Sequence, residues 1–100
     1  MEKNNAVNLQ KSEWILILLM RRSLDRIHIM KSIFLIWNRS GRDIRNYFHF
    51  EPYLYGPYSL EVYSELRNLQ NQGLIVYPPS PIQQWSKYHL TIQGRKRLKR

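Results

Sequence analysis

The run GPYSLEVYSELRNLQNQGLIVY, residues 56–77, decides the fold. Gly56-Pro57 is a turn signal, Ser59 stands where a helix N-cap belongs, and Glu61 falls in the first turn, where the helix dipole favours an acid. Val62, Tyr63, Leu66, Leu69 and Gln70 then keep helical spacing up to Gly73, a residue suited to the left-handed conformation that ends a helix. Leu74-Ile75-Val76-Tyr77 follows as a strand.

Downstream, Pro78 to Gln84 is too rich in proline to join a ladder, and Trp85 to Leu90 reads as the antiparallel partner of the first strand. Thr91 is placed to cap a last basic helix or frayed tail, Ile92 to Arg100. Upstream, Ser12 is the expected N-cap of a helix over Glu13 to Arg22, apolar on every side from Trp14 to Met20. Asp25 caps a second helix with Ile27, Met30, Phe34 and Trp37 on one face, which Ile29, Ile33, Leu35 and Ile36 widen beyond a simple stripe, and Asn38-Arg39-Ser40-Gly41 stops it. After a turn over Arg42 to Asn46, the stretch Tyr47 to Tyr55 is aromatic and β-prone, and Pro52 limits it to a short edge strand or an extended linker.

The order helix, helix, helix, strand, loop, strand predicts an α+β chain of the winged-helix (winged helix-turn-helix) type. It has a three-helix core and a two- to three-stranded antiparallel wing. Residues 12–94 form the domain, with an N-terminal arm over 1–11 and a basic tail over 95–100.

The chain also resembles winged-helix proteins whose third helix is announced by Tyr-Gly-Pro-Tyr-Ser, here Tyr55-Gly56-Pro57-Tyr58-Ser59. A Gly-Leu-Ile step at Gly73-Leu74-Ile75 and a Tyr-x-Leu-Thr-x-x-Gly step at Tyr88, Leu90, Thr91 and Gly94 extend the likeness over roughly residues 47 to 94. These features look like the Panacea-type antitoxin domains and, in the wing and the last step, like PadR-type repressors. The resemblance implies the fold more than the activity, because such families bind DNA in some cases and proteins in others.

Charge points to a polyanionic partner. Sixteen Lys and Arg against seven Asp and Glu give +9 and a pI near 10.2, although five of those cations lie in the last six residues. In helix-turn-helix geometry the third helix enters the major groove of double-stranded DNA. Its outward positions would be Leu60, Glu61, Ser64, Glu65, Arg67, Asn68, Asn71 and Gln72, so Ser59, Ser64, Arg67, Asn68 and Asn71 are the candidate base readers and helix-end contacts. Glu61 and Glu65 oppose this model. Backbone contacts would come from Arg21, Arg22, Arg26, Arg42, Arg45, the loop and wing residues Gln83, Gln84 and Lys87, and Arg95, Lys96 and Arg97.

Three further readings stay open. Helix 1 carries more apolar surface than a chain of 100 residues easily covers, so Trp14, Leu18, Ile29 and Leu35 are candidates for a homodimer or protein-partner interface. Tyr47, Phe48, Phe50, Tyr53 and Tyr55 could stack single-stranded bases or pack a core. The basic tail could bind nucleic acid by itself.

Other classes are not expected. The chain has no cysteine, and His28, His49 and His89 are too dispersed for a metal or catalytic pair. No phosphate loop, nucleophile elbow or paired-carboxylate motif appears, so neither catalysis nor a cofactor is anticipated. The longest apolar run is far short of the roughly 18 to 20 residues of a membrane span, and Met1-Glu2-Lys3-Asn4-Asn5 does not open like a signal peptide. The expectation is a cytoplasmic prokaryotic or viral regulator that binds DNA, or alternatively an antitoxin or accessory subunit that docks on a protein.

Overall fold

A computed structural model describes residues 9–52, 56–78 and 86–99. Residues 1–8 of the expected arm, the aromatic residues Tyr53 to Tyr55, loop residues 79–85 and Arg100 lie outside the described residues. The described chain is α+β: α1 (Lys11–Arg21), α2 (Arg26–Arg39), α3 (Leu60–Asn71), β1 (Ile75–Val76), β2 (His89–Leu90) and α4 (Ile92–Lys99). None of these helices is long and apolar enough to cross a membrane.

α1 begins two residues before the expected start. Glu13 accepts the Gln10 N–H at 3.0 Å, which makes Gln10 the cap and draws Ser12 into the first turn, where it is buried. Ser12, Ile15, Leu16 and Leu19 then form one inward stripe, while Trp14 and Leu18 pack at its margins. The helix that reads as apolar all round is thus largely covered by its own chain, and Met20 is its one large apolar side chain left exposed.

Asp25 caps α2 as expected, its carboxylate accepting the His28 N–H at 2.8 Å. Of the broad apolar face anticipated, Ile29, Met30 and Ile33 are buried, whereas Ile27 and Leu35 are 58% and 47% exposed. With eight apolar side chains between Ile27 and Trp37 the periodicity permits several faces, and packing against α1 and α3 selects one.

Of the two alternatives for Tyr47 to Tyr55, the described residues 47–52 follow the extended linker and form no strand. Tyr47 and Phe48 turn inward, and the Tyr47 hydroxyl donates to the Ile33 carbonyl at 2.6 Å. Glu51 makes an isolated bridge with Tyr58 through bonds of 2.8 and 2.9 Å, and Pro52 beside it has no N–H with which to extend a ladder.

α3 shows the predicted pattern, with Val62, Leu66 and Leu69 buried, but Gln70 faces solvent. It ends at Gly73, whose φ of +76° is the left-handed conformation that glycine adopts without strain. β1 pairs antiparallel with β2 through Ile75 opposite Leu90 and Val76 opposite His89. Both strands are shorter than expected, since the ladder stops before Pro78. A third rung comes from the α1–α2 turn, where Leu24 bridges Tyr88 through bonds of 2.8 and 3.4 Å.

Thr91 joins the sheet to α4. Its Oγ1 donates to the Gly73 carbonyl at 2.7 Å and accepts the Gly94 N–H at 3.0 Å, so one hydroxyl caps α4 and ties it to the end of α3. Of the helix and tail alternatives for Ile92 to Arg100, the helix holds over Ile92–Lys99. Arg95 to Lys99, expected in a tail beyond residue 94, therefore belong to α4, which packs against α1 and places Leu98 against the core.

Candidate nucleic-acid interface

α3 presents one polar face. Its exposed positions are Leu60, Ser64, Arg67, Asn68, Gln70 and Asn71, with Gln72 at the C-cap. Ser59 does not join them. It is 1% exposed, and its Oγ finds no partner among the described residues and makes no capping bond.

Glu61, counted above as opposing DNA, is taken up by the fold. Its Oε1 accepts from the His49 N–H at 2.9 Å and from the Lys11 ammonium at 3.2 Å, tying the 47–50 segment and the start of α1 to α3. Burial alone would raise this carboxyl, but those hydrogen bonds and the Lys11 charge more than offset it and hold the pKa below the ordinary value. Glu65 is half-buried. The exposed positions of α3 therefore carry a leucine, a serine, an arginine and amides, while the Glu61 side chain, 44% exposed but paired with Lys11, and half-buried Glu65 lie at their margin.

The cations divide into separate groups. Arg26, at the start of α2, lies over the Tyr63 ring at 5.7 Å, beside the N-terminal half of α3. Tyr58 packs edge-on against Tyr63, and Tyr88 lies close enough to sense both Tyr63 and Arg26. Burial, assisted by neighbouring Tyr77, raises the Tyr88 phenol, which stays a neutral donor at ordinary pH. Lys87 flanks the same corner. The Asp25 carboxyl there, which burial would raise, is pulled below its usual value by the His28 hydrogen bonds and by the His28 and Lys87 charges. At the other end of α3, Arg97 reaches Gln72 Oε1 at 3.4 Å from α4, where Arg95 and Lys96 are exposed. Arg21 and Arg22 are exposed at the C-terminal end of α1.

Arg42 and Arg45 are not part of this surface. They follow the C-terminal end of α2, whose 14 residues span about 21 Å from Arg26. The Arg42 guanidinium sits over Trp37 at 5.0 Å. Among the interface candidates, Ile29 is 0% exposed and presents no surface, Trp14 and Leu18 are half-buried, and Leu35 is 47% exposed. Gln83 and Gln84 lie outside the described residues.

The tyrosine corner was not visible in the sequence as a unit. Tyr58, Tyr63, Tyr77 and Tyr88 are spread over 31 positions, and the β1–β2 pairing together with the Leu24–Tyr88 bridge brings the last two beside the start of α2. The histidines are separate, His28 on Asp25, His49 on Glu51 and His89 on Ser23 Oγ at 2.6 Å. Among the described residues no group of three or more His, Asp or Glu is placed to hold a metal ion. Comparison with protein-family models, characterised proteins and solved structures finds no match to this chain.

Proposed function

We propose that the chain is a winged-helix domain that binds double-stranded DNA and acts as a transcriptional regulator, with α3 lying in the major groove. The observation that supports this reading is the exposed face of α3, which presents Ser64, Arg67, Asn68 and Asn71, and on whose margin Glu61 is paired with Lys11 and His49. Asn68, Asn71 and Gln72 have amide edges that pair with adenine, and Arg67 has the fork that pairs with guanine. Arg26 and Lys87 at one end of α3, and Arg95, Lys96 and Arg97 at the other, suit the phosphates on either side of the groove. The antiparallel β1–β2 pair, with Leu24 as a third rung, supports the winged-helix assignment.

The test is fluorescence anisotropy on specific and random duplexes across a salt series. Because α4 is packed on α1, the basic end is probed by charge removal, Arg95→Gln with Lys96→Gln, rather than by truncation. Each lost phosphate contact should flatten the slope of log K against log salt by about 0.9. An Arg67→Ala, Asn68→Ala pair should reduce discrimination between duplexes. Absence of binding to any duplex at low salt, or binding indifferent to α3 and lost with the α4 charges alone, would overturn this reading. In the latter case α4 would be a sequence-indifferent binder.

A further inference from the structure

Away from α3, the C-terminal half of α2 and the segment around the Glu51–Tyr58 bridge enclose a surface groove of about 450 Å³. Its walls, among the described residues, include Phe34, Trp37, Phe50, Arg42 and Glu51. Trp37 and Phe50 are stacked with centroids 5.8 Å apart and planes at 22°, and Phe34 meets Phe50 edge-on at 5.2 Å. All three rings are half-buried, and Trp37 and Phe50 are anchored against the core. The duplex reading uses none of these residues.

Arg42 brings a positive charge to the groove, and the fold fixes its position. Its backbone N–H donates to the Trp37 carbonyl at 2.9 Å, its Nε donates to Asn38 Oδ1 at 3.2 Å, and its guanidinium lies 5.0 Å from the Trp37 ring centroid. Among the described residues no carboxylate pairs with it, nor with Arg39 and Arg45, which are exposed three positions to either side. The terminal nitrogens of Arg42 are thus left as donors for a ligand, and their fork matches the oxygens of a phosphate. Glu51, the acid on the groove, has Oε2 3.4 Å from His49 Nε2, which leaves Oε1 to accept from an exocyclic amine.

Flat rings beside an unpaired guanidinium complement a nucleotide, whose base is a flat ring and whose phosphate is an anion. The volume falls within the range of about 300–1,000 Å³ of sites that take ligands of this size. A base inside a duplex is stacked and paired and cannot enter, whereas a single strand splays its bases onto aromatic side chains. A proline-rich segment would match the rings and leave the charge unanswered. Arg39 and Arg45 continue the positive charge along the chain, as the backbone of a strand requires and a lone nucleotide does not. We infer that the Phe34–Trp37–Phe50 groove holds an unpaired base of a single-stranded nucleic acid, with Arg42 on the adjoining phosphate. Of the aromatic residues that the sequence offers for stacking, Tyr47 and Phe48 are buried in the core, and Phe50 takes up that role with two rings of α2.

The experiment uses the full chain and a labelled single-stranded hexanucleotide of alternating cytosine and adenine, so its outcome is separate from the duplex reading. Anisotropy gives the affinity, and the Trp37 indole N–H, assigned with a Trp37→Phe variant, is followed by NMR. Phe50→Leu removes one stacking ring and should weaken binding about 5- to 150-fold. Arg42→Gln should weaken it too and flatten the slope of log K against log salt by about 0.7. The Arg67→Ala, Asn68→Ala pair on α3 should change neither. Circular dichroism checks each fold, and the exposed Arg42 keeps the test decisive if Phe50→Leu unfolds. The expected result is a strand that shifts the Trp37 signal and binds both groove variants more weakly. Binding that leaves Trp37 unmoved, or that survives both substitutions, would place the strand on the basic α4 instead. Cytidine monophosphate binding as tightly as the hexanucleotide would make the groove a small-molecule site. A Trp37 shift with a proline-rich peptide but not with the strand would give the groove to a protein. Each of these results, like the absence of any binding, overturns the inference.

Discussion

Replacing Gly94 by alanine sets two effects of opposite sign against each other. In a helix interior the change is normally favourable by about 0.8–1 kcal/mol, because alanine loses less backbone entropy than glycine. Here a Cβ on Gly94 would run into the Leu74 carbonyl oxygen and meet Leu90 Cδ1 at 2.6 Å. Leu90 can adjust. The carbonyl cannot do so freely, since it accepts from the Thr91 N–H at 3.1 Å, and shifting it loosens the link that holds α4 to the sheet. Overpacking of this kind costs about 1–3 kcal/mol, and a backbone obstacle argues for the upper end. The net expectation is a loss of about 2 kcal/mol, which for a chain of this length lowers Tm by about 8–16 °C. Thermal unfolding followed by circular dichroism, with a urea titration to compare m values, measures it directly. An unchanged or raised Tm would mean that α4 does not sit this close to the α3–β1 corner, and the account of Thr91 as the joint would fail with it.

Other substitutions test separate parts of the structure. Ser59→Ala should leave the urea midpoint unchanged or raise it, against the loss of about 1 kcal/mol usual for an N-cap serine, because the buried hydroxyl caps nothing. A full 1 kcal/mol loss would show that the hydroxyl holds a backbone donor after all. Glu61 has a depressed carboxyl, so its contribution is present above its unfolded value near 4.5 and is lost as pH falls through the lower folded value. Glu61→Gln should therefore be less stable than wild type at pH 7, and the gap in Tm should narrow below about pH 4; a gap independent of pH would argue against the Lys11 and His49 ties. On DNA, Arg26→Gln should weaken binding to all duplexes alike and flatten the salt slope, whereas Asn68→Ala should cost about 1–3 kcal/mol at one base position, read by competition with single-base variants of the site. A uniform effect of Asn68→Ala would remove it from the groove.

Local rules made much of this architecture legible from the residues alone. The Asp25 cap, the stop at Gly41, the α3 stripe ending at Gly73 and the Thr91 cap on Gly94 all depend on neighbours within a few positions. Those neighbours are written side by side in the chain. The net charge and the polar composition of α3 are readable in the same way. Where a segment is apolar at too many positions, as in α1 and α2, the pattern names a helix but not its rotation, and only packing showed Ile27 exposed and Ile29 buried. The fate of Tyr47 and Phe48, the third rung at Leu24, and the division of the arginines between two distant surfaces depend on contacts between residues far apart in sequence. Glu61 shows the difference most clearly. Its side chain reads from the sequence as an acid on a would-be recognition face, and what neutralises it there is an ammonium fifty residues away and a backbone N–H that only the folded chain brings within 3 Å.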